Sequence, residues 1–141
     1  MLTGHVGRIC FSRLLENQDL TETIKEKAEE AGIRAGTIIA IGSLKDAVLG
    51  YYREGEYKNT RLDGPLEIAS CTGNIAVDEE GQVIIHAHLV VSDEKGTAFG
   101  GHLMKGSHVG ATAELVMIEA VGVKLRRALD EKTKLRLLNL R

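Results

Sequence analysis

Residues 84–102 read Ile84-Ile85-His86-Ala87-His88-Leu89-Val90-Val91-Ser92-Asp93-Glu94-Lys95-Gly96-Thr97-Ala98-Phe99-Gly100-Gly101-His102. The apolar, β-branched character of residues 84–92 predicts a strand. Alternation then puts His86 and His88 on one face, roughly 7 Å apart at Cα. The connection 93–101 contains Gly96, Gly100 and Gly101, with the Gly100-Gly101 pair expected as the turn that brings the chain back and presents His102 to the same spot. Three imidazoles are the ligand set of an open zinc-type site whose fourth position is left for water or a substrate. Residue types alone leave a second reading open. Histidines on a strand can be partly buried polar residues bonded to backbone, and the sequence shows no carboxylate that must orient the rings. His5 is read as a residue of the first strand and His108 as a surface or turn residue.

Outward from this segment, strands surround one helix. Residues 6–14 read as a strand. Asp19 then offers an N-cap with Glu22 three residues on, Leu20, Ile24, Ala28 and Ala31 share one face, and Gly32 is placed to end the helix. Residues 36–44 and 47–53 are apolar, β-rich runs. The polar stretch 54–64 reads as a loop or irregular edge, 66–77 as a strand, and Asp78-Glu79-Glu80-Gly81 as a turn before the histidine-bearing strand, 82–92. Residues 111–121 are apolar on both alternating faces, as in a strand covered on each side or buried in a subunit contact. At the C-terminus Val123, Leu125, Leu135 and Leu137 fit period two around a turn at 130–133, with a helix over 123–134 as the competing reading. No repeat, linker or low-complexity segment interrupts the chain, so residues 1–141 are expected as a single domain.

Composition narrows the function classes. The chain has 141 residues, 43% of them hydrophobic and 27% charged, with 16 Gly, one Pro and no Trp. It is long enough to bury a core of Leu, Ile, Val and Ala. A formal charge of −2 argues against a nucleic-acid binder that works by general electrostatics. The basic stretch Lys124, Arg126, Arg127, Lys132, Lys134, Arg136 and Arg141 is interrupted by Asp130 and Glu131 and reads as a solvated face. Cys10 and Cys71 form no C-x-x-C or disulfide framework, which predicts reduced thiols. No signal-peptide pattern and no run of eighteen apolar residues is present, so the expectation is a cytoplasmic protein with no membrane partner.

The residues also carry a family likeness. The run 8–14, Asp19-Leu20, Gly32-Ile33-Arg34-Ala35-Gly36, Ile41-Gly42-Ser43-Leu44, Gly64-Pro65-Leu66-Glu67-Ile68, Gly73-Asn74-Ile75, His86-Ala87-His88, Ser92-Asp93, Gly100-Gly101-His102 and Thr112-Ala113-Glu114 together resemble the PPC domain (plants and prokaryotes conserved, also called DUF296), in the family's order and over nearly the whole chain. The resemblance implies an α+β fold, a mainly antiparallel β-sheet with one principal helix packed on it, of the stand-alone prokaryotic type and assembled as a homotrimer. Plant relatives read A·T-rich DNA through an AT hook, whose Arg-Gly-Arg-Pro core has no counterpart here, since the sole proline, Pro65, follows Asp63-Gly64. By the resemblance, His86, His88 and His102 match the H-x-H and G-G-H of prokaryotic members and would be ligands of zinc or another divalent transition metal.

Two function classes stay open from the sequence. One is a metal-binding trimeric module with a protein partner, touching DNA only weakly or indirectly. The other is an enzyme in which the open metal position activates a water, with a carboxylate as general base. Glu67, Asp93, Glu94 and Glu114 are the candidates for that base. Glu67 and Glu114 lead because each stands in an otherwise apolar strand; the competing role for both is a structural pair with Arg8, Arg13 or Arg34.

Overall fold

Asp19 opens the only helix of the described residues, 1–139 of the computed structural model. Its Oδ1 accepts a 3.0 Å hydrogen bond from the Glu22 N–H at the start of α1 (Leu20–Glu30), as an N-cap should. After the C-cap Ala31, Gly32 takes a φ of +66° and ends the helix. Leu20, Ile24 and Ala28 are fully buried, against a sheet whose strands β4 and β6 face the helix. Removing a side chain the size of Ile24 from water contributes about 1.5–3 kcal/mol.

The strands are β1 (His5–Leu14), β2 (Gly36–Arg53), β3 (Glu56–Val77), β4 (Val83–Ser92), β5 (Ala98–Leu103), β6 (His108–Val121), β7 (Arg126–Leu129) and β8 (Arg136–Asn139). They form one sheet in the order β1-β6-β2-β5-β4-β3-β7-β8, antiparallel except for a single parallel bridge between Val77 and Arg126. Because β2 also pairs with β3, the pairings β2–β3–β4–β5–β2 close into a ring. Closure leaves those four strands with an inside and an outside. Along β4, Ala87, Leu89 and Val91 go to the buried core, while His86 and His88 take the other face.

Two expectations change, and the C-terminal alternative is decided for strands. Residues 54–64 are not a loop: 56–64 belong to β3, and the turn is Glu54-Gly55, with φ of 54° and 90°. Two successive positive φ values are the hairpin turn that matches strand twist. The stretch looked like a loop because this end of the hairpin is exposed and its sequence is polar. Gly100 and Gly101 are not the turn before His102 but lie inside β5, opposite Val90 and Leu89. The turn is at 93–97, where Asp93 Oδ1 accepts hydrogen bonds from the N–H groups of Lys95 and Thr97, each 2.9 Å, and Gly96 has a φ of 78°. The C-terminal segment is a β-hairpin, β7–β8, and not a helix; Arg141 lies outside the described residues.

His108, expected at a surface or turn, starts β6 and is half-buried on Asp46. Its Nδ1 donates to Asp46 Oδ1 at 2.7 Å and its backbone N–H donates to the same oxygen at 3.0 Å, while Arg61 Nη2 donates to Oδ2 at 2.8 Å. Burial alone would raise the Asp46 pKa, but the bonds from His108 and the charge of Arg61 hold it below the usual carboxylate value. The two cysteines are free thiols, Cys71 buried and Cys10 partly so. No helix among the described residues is long and apolar enough to cross a membrane.

Candidate metal centre

Pairing register assembles the histidines. His88 lies opposite His102 across the β4–β5 ladder, and His86 stands two residues further along β4, opposite Asn74 of β3. All three face away from the helix-covered core. Ring centroids are 4.9 Å apart for His86 and His102, 5.4 Å for His86 and His88, and 5.7 Å for His88 and His102. One ring nitrogen from each can be chosen so that all lie within 4.8 Å of one another. Nitrogens about 2.0–2.1 Å from a tetrahedral ion stand about 3.4 Å apart, so modest rotation of the rings would bring them to bonding separation.

Their electrostatic state suits ligation. Burial, then the charge of Arg127, then the two neighbouring histidines push the His86 pKa down to about 4, and burial followed by His88 and Arg127 lowers that of His102. Both imidazoles are therefore neutral near pH 7, with a lone pair to give. The Nδ1 of His102 is buried and has no hydrogen-bond partner among the described residues. An orphaned ring nitrogen beside two other imidazoles fits a cation better than a satisfied structural histidine.

Neighbouring elements wall the site. Gly50 of β2 is the residue opposite His102, and a Cβ there would come within 2.9 Å of both Tyr57 Cδ1 and Met104 Sδ. Without that atom, the Tyr57 ring lies 4.8 Å from the His102 ring, centroid to centroid. Tyr52 donates from its hydroxyl to the Thr133 carbonyl at 2.7 Å, tying the β2–β3 hairpin to the C-terminal hairpin. Arg127 of β7 is buried beside His86 and His102 and lines an open cleft with them.

The carboxylates proposed as general bases are elsewhere. Glu67 and Glu114 are exposed, not buried, and neither pairs with Arg8, Arg13 or Arg34. Arg8 instead holds Glu119 and Arg34 bonds the Gly81 carbonyl. Glu114 lies on the outer face of β6 beside Phe11 and Arg13. Asp93 is engaged in its turn, and Glu94 is exposed in that turn. Among the described residues no Asp or Glu joins the three histidines.

Arg127, Tyr57 and Asn74 are residues of this site that sequence reasoning missed. One signal could have found Arg127: it shares the period-two face of Val123 and Leu125, so a strand reading puts its charge on an apolar side.

Residues 1–121 match the Plants and Prokaryotes Conserved (PCC) domain. The chain belongs to this PPC family. The PPC fold is also seen in solved relatives. A metal-containing protein from Archaeoglobus fulgidus is 35% identical with a TM-score of 0.89, covering 99% of this chain and 98% of its own. A plant- and prokaryote-conserved (PPC) protein from Pyrococcus horikoshii is 33% identical with a TM-score of 0.88, covering 99% and 97%. A Ralstonia eutropha JMP134 protein provisionally assigned to DNA binding is 26% identical with a TM-score of 0.82, covering 93% and 90%. The bifunctional protein GlmU of Synechococcus sp. (strain JA-3-3Ab) is 33% identical over 127 residues, which are 89% of this PPC chain but 19% of that protein. The chain thus spans about a fifth of that curated relative's length.

Proposed function

We propose that this PPC chain is a metal-binding homotrimeric module in which His86, His88 and His102 hold one divalent transition metal, zinc in the first instance. The observation that carries the reading is the convergence of three imidazoles, with one ring nitrogen from each within 4.8 Å of the others and one buried nitrogen lacking any partner among the described residues. The metal-containing relative from Archaeoglobus fulgidus, similar over its whole length, supports it. When bound, such an ion supplies a Lewis acid with a position open to solvent or ligand. The water-activating reading is the weaker one, because no carboxylate among the described residues stands by the histidines to serve as base.

Trimer formation is supported by the sheet face opposite the helix. Ile9 and Phe11 of β1, Ile39 and Ile41 of β2, and Val116 and Ile118 of β6 are in adjacent register there. Phe11 is 78% exposed and Ile41 54%. A contiguous apolar face of this kind marks an interaction surface. Direct DNA contact is expected to be weak. Of the basic C-terminal residues, Lys134 and Arg136 are engaged by Glu131 and Glu79, and Arg127 is buried.

Elemental analysis of protein purified without a His tag tests the metal. The expected result is close to one transition-metal ion per chain, lost in His86→Ala and His102→Ala, since two remaining ligands hold an ion far more weakly. Metal-free wild type that takes up no zinc, cobalt or nickel on titration would refute the reading.

A further inference from the structure

Beside the histidines stands a cation that ligation does not use. Arg127 is 6% exposed. Its guanidinium donates from Nη1 to the Arg136 carbonyl at 2.9 Å and from Nη2 to Asn74 Oδ1 at 3.0 Å. Both acceptors are neutral. Its Nε is buried with no partner among the described residues, and none of the ion pairs among them includes it. A guanidinium carries five N–H donors, and a buried charge is ordinarily met by an opposite one, because leaving it uncompensated costs several kcal/mol. The missing partner points to a ligand.

The cleft that Arg127 lines with Tyr57, His86 and His102 has a volume of about 190 Å³. The rest of its wall includes the aliphatic side chains of Ile84, Leu135 and Leu137. At roughly 30 Å³ per water in the liquid, that is the space of about six waters, enough for a molecule of comparably few heavy atoms. The charge is one-sided. A metal on neutral imidazoles adds its full charge to that of Arg127, and among the described residues no acidic ligand joins the histidines and no ion pair engages Arg127. Planar, bidentate oxyanions are what a guanidinium recognises best, and the aliphatic wall favours an anion with a hydrocarbon body over a bare inorganic one.

We propose that the cleft takes a small aliphatic carboxylate, its oxygens shared between the Arg127 guanidinium and the open side of the three-histidine centre, its body packed on Ile84, Leu135 and Leu137. This rests on the metal reading, deepens it by naming the ligand class, and makes Arg127 the residue that selects charge.

The test uses cobalt(II), whose visible spectrum reports its coordination, and isobutyrate with the isosteric neutral isobutyramide as probes. Cobalt content is measured first, in wild type, Arg127→Met and Arg127→Lys. On cobalt-loaded wild type, isobutyrate is expected to shift the visible bands saturably while isobutyramide does not. Arg127→Met should load as much cobalt but bind isobutyrate at least tenfold more weakly, and Arg127→Lys should fall between. Equal response to acid and amide in wild type, or unchanged isobutyrate affinity in a loaded Arg127→Met, overturns the proposal. Should Arg127→Met fail to fold, the wild-type acid-against-amide comparison and Arg127→Lys decide. If wild type takes up no cobalt, the metal reading fails by itself. Calorimetry on the metal-free protein then decides the anion site: isobutyrate-selective heat supports it, and equal or absent heats reject it.

Discussion

Asp46 shows how one side chain joins stability to pH. It is buried, accepts from His108 twice and from Arg61 once, and its pKa is held below the ordinary value. A carboxylate depressed in the folded state binds fewer protons than the unfolded chain between the two pKa values, so its contribution is full above the unfolded value, near 4, and is lost as pH falls through the folded one. Asp46→Asn should lower stability at pH 7 by about 1.5–3 kcal/mol, the worth of charge-assisted hydrogen bonds, and should flatten the acid limb of the stability curve. Urea unfolding at pH 7, 5 and 3.5 measures both; a variant that keeps the wild-type acid sensitivity would show that other groups carry it. His108 itself looked solitary in the sequence because its partner Asp46 is 62 residues away.

Among the elements, α1 was the most legible. Its cap at Asp19, its apolar face and its end at Gly32 all lie within fourteen residues of one another and act through local backbone geometry. Packing gives this helix its energy. Ile24→Ala is expected to destabilise the chain by about 2–5 kcal/mol, as large-to-small changes in closed cores do, while leaving cobalt uptake by the folded protein unchanged, since the histidines face away from the core that Ile24 fills. Denaturant melts with cobalt titration at low denaturant check the two halves separately. The β2–β3 hairpin was harder to read. Its tip has the Glu54-Gly55 turn, but the polar strand after it lacks the apolar alternation that marks a half-buried strand, because most of its side chains are exposed.

At the scale of the whole molecule, the uncovered face of β1, β2 and β6 and the slight negative charge lead to two expectations. Light scattering after gel filtration should give about three times the 15.3 kDa chain mass, and Phe11→Glu, which puts a charge on that apolar face, should shift the protein toward monomer. A wild-type monomer at micromolar concentration would refute the trimer. Titration of A·T-rich and G·C-rich duplexes at two salt concentrations should show equally weak binding, with Kd above about 1 µM and fading with salt, as for non-specific phosphate contacts. Submicromolar, sequence-selective binding near physiological salt would instead make this chain a DNA reader in its own right.

Local grammar was enough for the sequence to determine the helix and its ends, the alternation that sets His86 and His88 on one face, the turn at 78–81 and the family whose motifs the chain carries. Each of these depends on residues a few positions apart. Tertiary structure alone decided what lies opposite what. It placed Gly100 and Gly101 in a strand because β5 pairs with β4, and it left Glu67 and Glu114 exposed because their faces of the sheet are uncovered within one chain. It also brought Arg127 to Asn74, 53 residues away, beside the histidines. Whether a charged side chain is solvated or buried depends on which distant segment folds over it, and no spacing along the chain encodes that.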